Sequence, residues 1–176
     1  MANNPLVSLE KFKLFTITPA VQATPDYATG DVLFAPTEIP NFFPSTGASC
    51  ILKSVCIIDK QIVATHAFTL YFTNSSTALG TINATAGAAV GVLEEIQATI
   101  PIADGDWIAG GGAGSVDLAN VCTITNPAVD GIGSVLQGSN WAGSAMSRGI
   151  HVVGIAGETM NVASTSDLII KIGVEY

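Results

Sequence analysis

A chain of 176 residues with 48% apolar and only 11% charged residues is long enough for one domain whose core needs neither disulfides nor a metal. Its net charge of −8, with six Lys and Arg in no cluster, argues against direct nucleic-acid binding and against attraction to anionic membranes, both of which require basic contacts. So little charge leaves a surface of Ser, Thr, Asn and Gly, and such a surface is expected to be covered by partner subunits.

No apolar run reaches the ~18 residues of a transmembrane helix. The start, Met1-Ala2-Asn3-Asn4-Pro5, has neither a basic nor an apolar signal region, so the chain is expected to stay in solution. Residues 1–10, including Pro5, Leu6 and Val7, have no sustained period and read as an N-terminal arm. Residues 11–176 are expected to form one domain.

Lys11 to Thr18 alternates, Phe12, Leu14 and Thr16 opposing Lys13, Phe15 and Ile17, and predicts a first strand ending at Pro19. Thr24 to Gly30 is a loop by its Pro25, Asp26 and Gly30, and a short apolar run follows at Val32 to Phe34. Pro36, Pro40 and Pro44 then surround Ile39, Phe42 and Phe43, which argues against regular structure from Pro36 to Gly47.

Ser49 to Ile58 is apolar on both faces apart from Lys53 and predicts a strand buried on both sides, with Cys50 and Cys56 sharing a face. After a turn at Asp59 to Gln61, Phe68, Leu70 and Phe72 alternate with Thr69, Tyr71 and Thr73. The two segments predict a central β-hairpin.

Asn74 to Gly87 reads as a loop. From Ala88 to Gln97, Ala89, Leu93, Ile96 and, just beyond, Ile100 fall at helical spacing, which predicts a short helix. Thr99 to Ile108 is strand-like with a turn at Asp104, and Gly110 to Gly114 is a glycine-rich connector. Val116 to Thr125 predicts another strand, Asn126 to Gly149 a long surface excursion, and Gly149 to Ile155 and Asp167 to Tyr176 the last two strands. About eight strands, one short helix and no internal repeat predict an all-β antiparallel sandwich of the jelly-roll kind.

Chemistry-bearing residues are sparse. His66 and His151 have no second ligand at metal spacing and no nucleophile elbow near them in sequence. Asp104 and Asp106 lack the further acids of an EF-hand, and adjacent Glu94 and Glu95 do not make an acid/base pair. The spacing after Gly131-Ile132-Gly133 does not complete a dinucleotide fingerprint. Cys50, Cys56 and Cys122 read as buried reduced thiols. No catalytic residue, cofactor or metal is expected. Phe42, Phe43, Trp107 and Trp141 could line a glycan groove but are more readily core or subunit contacts, and Pro40, Phe42, Phe43 and Pro44 read as a proline-stiffened interface loop.

Several stretches together carry a family likeness: Thr46 to Val55, Ile57-Ile58-Asp59-Lys60, Phe68 to Phe72, Ala88 to Ile102, and Ser166-Asp167-Leu168 running to Glu175. Their order and spacing, from about Lys11 to Tyr176, resemble tailed-bacteriophage virion proteins of the capsid decoration, or cement, type. The resemblance implies a β-sandwich subunit, a homotrimer, a major capsid protein as partner, a place on the capsid exterior of the virion, and no catalytic residues. Residues 110–114 and 126–149 match no motif of that family. The competing expectation is a receptor- or glycan-binding module of a head or tail fibre.

Overall fold

The computed structural model describes residues 12–60, 66–87, 93–108, 120–124, 132–138, 148–162 and 164–176. Strands follow wherever apolar side chains alternate with polar ones, because period-two alternation buries one face of a pleat. In chain order they are β1 (Phe12–Ile17), β2 (Val32–Ile39), β3 (Ser49–Asp59), β4 (Phe68–Thr73), β5 (Ile96–Ile102), β6 (Trp107–Ile108), β7 (Asn120–Ile124), β8 (Val135–Gln137), β9 (Ile150–Ala156) and β10 (Leu168–Glu175).

Two antiparallel sheets result. One runs β1-β10-β3-β7-β6, with β8 pairing the first residues of β3, and the other runs β2-β9-β4-β5. Four strands of the first, β1-β10-β3-β7, and the four of the second, β2-β9-β4-β5, have the strand order of a jelly roll. Between the sheets lies one core, in which Phe34, Leu52, Val55, Ile57, Phe68, Leu70, Phe72, Ile100, Ile170 and Ile172 are all at most 1% exposed.

Adjacency in sequence misleads at the centre of the chain. β3 and β4 do not form the expected hairpin: β3 pairs with β10, β7 and β8, and β4 pairs with β5 and β9 in the other sheet. The chain therefore crosses the sandwich after Asp59.

β3 is also not buried on both sides. Opposite β10, Ser54 pairs with Gly173 and Leu52 with Val174, so Lys53 is an extra residue, a bulge that reverses the alternation. Cys50 and Leu52 face the core before it, Val55, Ile57 and Asp59 after it. The reversal makes a one-sided strand look two-sided in sequence. It also separates Cys50, which is buried, from Cys56, which is half-buried toward the outside.

Regular structure extends through Pro36, where none was expected. β2 runs to Ile39, with register irregularities between Val32 and Phe34 and between Phe34 and Thr37. It is an edge strand, so the missing proline N–H costs no ladder bond. Pro101 is accommodated in the same way on β5, the opposite edge of that sheet.

Of the expected helix over Ala88–Gln97, residues 88–92 lie outside the described residues, while Ile96 and Gln97 open β5. The turn at Asp104 is present as a single 3-10 turn over Asp104–Asp106, with the Ala103 N–H donating to Asp106 Oδ2 at 2.8 Å. Asp106 thus serves the local backbone, while the Asp104 side chain lies against Glu158. The glycine-rich segment 110–114 lies outside the described residues. Inside the expected excursion, β8 joins the sheet through Leu136, which is fully buried.

Candidate functional site

The outward face of the six-stranded sheet is where the chain leaves its apolar side chains uncovered. Strand register assembles them from distant parts of the sequence: Phe12 on β1 stands opposite Glu175 on β10, Glu175 opposite Ile51 on β3, and Ile51 opposite Val135 on β8. One row across four strands therefore reads Phe12, Glu175, Ile51, Val135. Their exposures are 55% for Phe12, 38% for Ile51 and 62% for Val135, and Leu14 on the neighbouring row is 56% exposed. Farther along the same sheet, Ile108 on β6 is 75% exposed.

Two details shape this face. Gly173 lies between Leu14 and Ser54 in register, and a side chain there would come within 2.8 Å of Phe12 Cζ and 2.5 Å of Ser54 Oγ. The Phe12 ring thus lies down over the glycine and widens the apolar surface. Charge is sparse: Lys53 Nζ meets Glu175 Oε2 at 3.1 Å, and Lys171 stands two positions beyond Gly173. An exposed pair of that kind contributes at most about 1 kcal/mol. Among the described residues Glu175 is the one carboxylate on this face, in a chain with fourteen Asp and Glu.

The other outward face differs. Residues 74–87 fold back across the four-stranded sheet and bury Leu79 against Val32 and Val153, with Tyr71, Ala86 and Ile155 partly covered. Backbone bonds hold this cover down: Val32 N–H donates to Ala84 O at 3.0 Å, Ala86 N–H to Gly30 O at 2.8 Å and Gly87 N–H to Leu79 O at 2.8 Å. What stays open is an apolar cleft of about 260 Å³ lined by Tyr71, Leu79, Ala86, Leu93, Ile96 and Ile155.

Of the residues singled out from sequence, Phe42 and Phe43 stand together, but inside the molecule. Phe42 and Phe43, expected to anchor a partner, are fully buried in the chain's own core. Their rings stack at 5.1 Å edge to face, with Phe15 at 4.9 Å from Phe42. The loop is fastened from outside as well: Tyr176 Oη donates to Phe42 O at 2.6 Å, and Arg148 Nε donates to Phe43 O at 3.1 Å. Burial pushes the Tyr176 hydroxyl up to about 12, so it keeps the proton that makes this bond. Pro40 and Pro44 remain exposed at the loop's shoulders. Pro5, Leu6 and Val7 lie outside the described residues.

The titratable groups cluster at the end of the sandwich where β3 leaves and β4 enters. His66 Nε2 is 3.9 Å from Asp59 Oδ2, both side chains being 3% exposed, and Trp107 Nε1 donates to His66 O at 2.9 Å. Nearby, burial and the Glu158 carboxylate raise the Asp104 carboxyl, while Glu158 Oε1 accepts the Ala67 N–H at 2.9 Å. Among the described residues no three such groups stand close enough to hold a metal ion. Of the aromatic candidates for a glycan groove, Phe42, Phe43 and Trp107 are buried, and Trp141 lies outside the described residues.

Sequence reasoning passed over the open face itself. Its signal was present in β1, where Phe12 and Leu14 oppose Phe15 and Ile17, so a strand at the sheet's edge is apolar on both sides.

No protein-family model and no curated protein matches the chain. A solved structure of infectious bursal disease virus, Gx strain, aligns with 94% of this chain at 16% identity and a TM-score of 0.23, and this chain spans 38% of that one. A likeness at that level assigns the chain neither a family nor a role.

Proposed function

We propose that the chain is a structural protein of a virion, of the decoration or cement type, which binds the outer capsid surface and stabilises the head by clamping neighbouring capsid subunits. It acts by binding rather than by catalysis. The observation that carries this reading is the uncovered apolar face: side chains 38–75% exposed across one sheet, on a chain with only 11% charged residues. Large apolar side chains gathered on one exposed face mark protein contact. The jelly-roll fold admits the role, since it recurs in viral capsids, but it recurs also in lectins and cupins and does not choose among them. The sequence resemblance to decoration proteins favours the virion role among them. Many weak contacts repeated by shell symmetry sum to tight attachment through avidity.

Contact with the capsid is assigned to the open face and to the exposed Pro40 and Pro44, with residues 2–9 as a further arm that reaches neighbouring subunits. The test is co-sedimentation with undecorated capsids of the virus whose genome encodes the chain. The full chain is expected to bind, and a chain lacking residues 2–9 is expected to fold but to occupy fewer sites. Equal occupancy by the two removes the arm from the mechanism, and no binding by the full chain overturns the decoration role.

A further inference from the structure

The margins of the two sheets are not alike. β2 and β5, which bound the four-stranded sheet, carry Pro36 and Pro101, and β2 also breaks register twice against β9. In the other sheet β6 has two residues and β8 three. β1 is the exception: six residues without proline or bulge, in unbroken register against β10 from Phe12 opposite Glu175 to Ile17 opposite Ile170. Among the described residues the backbone of β1 bonds to β10 and to nothing else. Successive residues of an antiparallel strand aim their N–H and C=O groups to opposite sides, so half of those on β1 point away from the sheet.

We propose that this margin takes up a further strand: an extended segment of the capsid protein, apolar on the side that joins the open face and carrying a carboxylate opposite Lys13. Only the source of the segment rests on the decoration reading; its chemistry is set by β1.

Phe12 and Leu14, 55% and 56% exposed, end the rows of the open face, and a strand laid beside β1 continues those rows. Its outward side chains then stand about 5 Å from the two apolar ones, which calls for apolar partners. On the inner side Lys13 is the one charged residue of β1, with Nζ 4.7 Å from the centre of the Phe15 ring and no carboxylate beside it among the described residues. An inward charge on an edge strand turns away strands that are apolar throughout. A segment with a carboxylate at the facing position is admitted, so Lys13 selects the partner. The backbone ladder supplies strength and the alternate side chains selectivity.

A second copy offers no such strand. Its other margins are interrupted or short, and β1 against β1 closes a two-fold pair, whereas the family resemblance implies a homotrimer. Residues 2–9 hold Pro5 and no sustained alternation.

Hydrogen exchange of the full chain, free and on undecorated capsids of the virus whose genome encodes it, tests the added strand. Alternate amides of β1 are expected to exchange fast in the free chain and to slow by about 10-fold or more on capsids. Of Lys13→Pro and Leu14→Pro, one removes an N–H aimed at β10 and the other an N–H aimed outward. The outward one is expected to melt near the parent and to lose about 10-fold or more in capsid affinity. Lys13→Glu leaves the backbone intact and so reads the margin even where proline prevents folding: it is expected to fold and to bind capsids about 10-fold more weakly, whereas Lys13→Arg binds as the parent does. Binding by Lys13→Glu equal to the parent's overturns the proposal. A capsid-bound chain whose β1 amides stay fast overturns it too and leaves the decoration reading standing, while failure of the full chain to bind capsids overturns both. Slow alternate amides in the free chain assign the margin to another copy or to residues 2–9, and this result also overturns the proposal.

Discussion

The outward face of the four-stranded sheet is roofed by residues 74–87, which bury Val32, Leu79 and Val153 to between 0% and 4% exposure. The outward face of the six-stranded sheet has no such roof among the described residues, and Phe12, Leu14, Ile51, Val135 and Ile108 stand out from it. Both faces carry outward apolar residues in strands, so their composition does not explain the difference. It comes from where the loops return. An outward apolar side chain adds to a chain's own stability only when another segment covers it; otherwise its contribution is deferred to a partner.

The largest contrast is expected from a charge placed on each face. Val153→Asp buries a carboxylate beneath the roof and should cost about 4 kcal/mol or more, lowering the melting temperature by about 10 °C or preventing folding. Ile51→Asp on the open face should change the stability of the dilute chain by no more than about 0.5 kcal/mol. Thermal melts at low protein concentration check both, and equal losses would erase the distinction between the faces.

Two glycines sharpen the comparison at intermediate size. A Cβ at Gly154, on the core side of β9, would come within 2.5 Å of the Phe34 ring, which is fully buried and has nowhere to go. Gly154→Ala should therefore cost about 1–3 kcal/mol. At Gly173 the clashing atoms are the Phe12 ring and the Ser54 hydroxyl, and the ring is free to swing into solvent. Gly173→Ala should cost less than Gly154→Ala in the isolated chain, by urea unfolding, while weakening whatever association uses the open face.

The smallest expected effect is a pH dependence confined to the roofed side. His151 lies on the outward side of β9, and burial lowers its pKa while Glu38, its register neighbour on β2, opposes the shift. The unfolded chain then holds a proton at His151 more tightly than the folded one. Stability is complete above the unfolded value of about 6.5 and declines as pH falls below it. His151→Gln should flatten the melting temperature between about pH 7 and pH 5, and an unaltered profile would place the titrating group elsewhere.

Much of this fold was legible in the residues. Phe68, Leu70 and Phe72 against Thr69, Tyr71 and Thr73 fixed the inner and outer sides of β4 by period alone. The jelly-roll class followed from the spacing of such segments. What escaped was of two physical kinds. Partner choice between strands is decided by the whole sandwich, so β3 and β4, neighbours in sequence, went to different sheets. Local irregularity was the other: the bulge at Lys53 shifted the phase of β3, and edge positions tolerated Pro36 where a central strand would have excluded it. In the expected interface loop, Pro40 and Pro44 are exposed, whereas Phe42 and Phe43 turn inward to an aromatic cluster with Phe15 that no linear pattern displays.

The two edge prolines have a further consequence. Strands at a sheet's margin offer unpaired backbone groups on which other chains can nucleate cross-β growth. Pro36 on β2 and Pro101 on β5 interrupt both margins of the four-stranded sheet, each removing one N–H from the template. Crowding many copies into a lattice therefore does not invite that sheet to fuse with its neighbours, and copies can be held side by side at high density while remaining separate folded units.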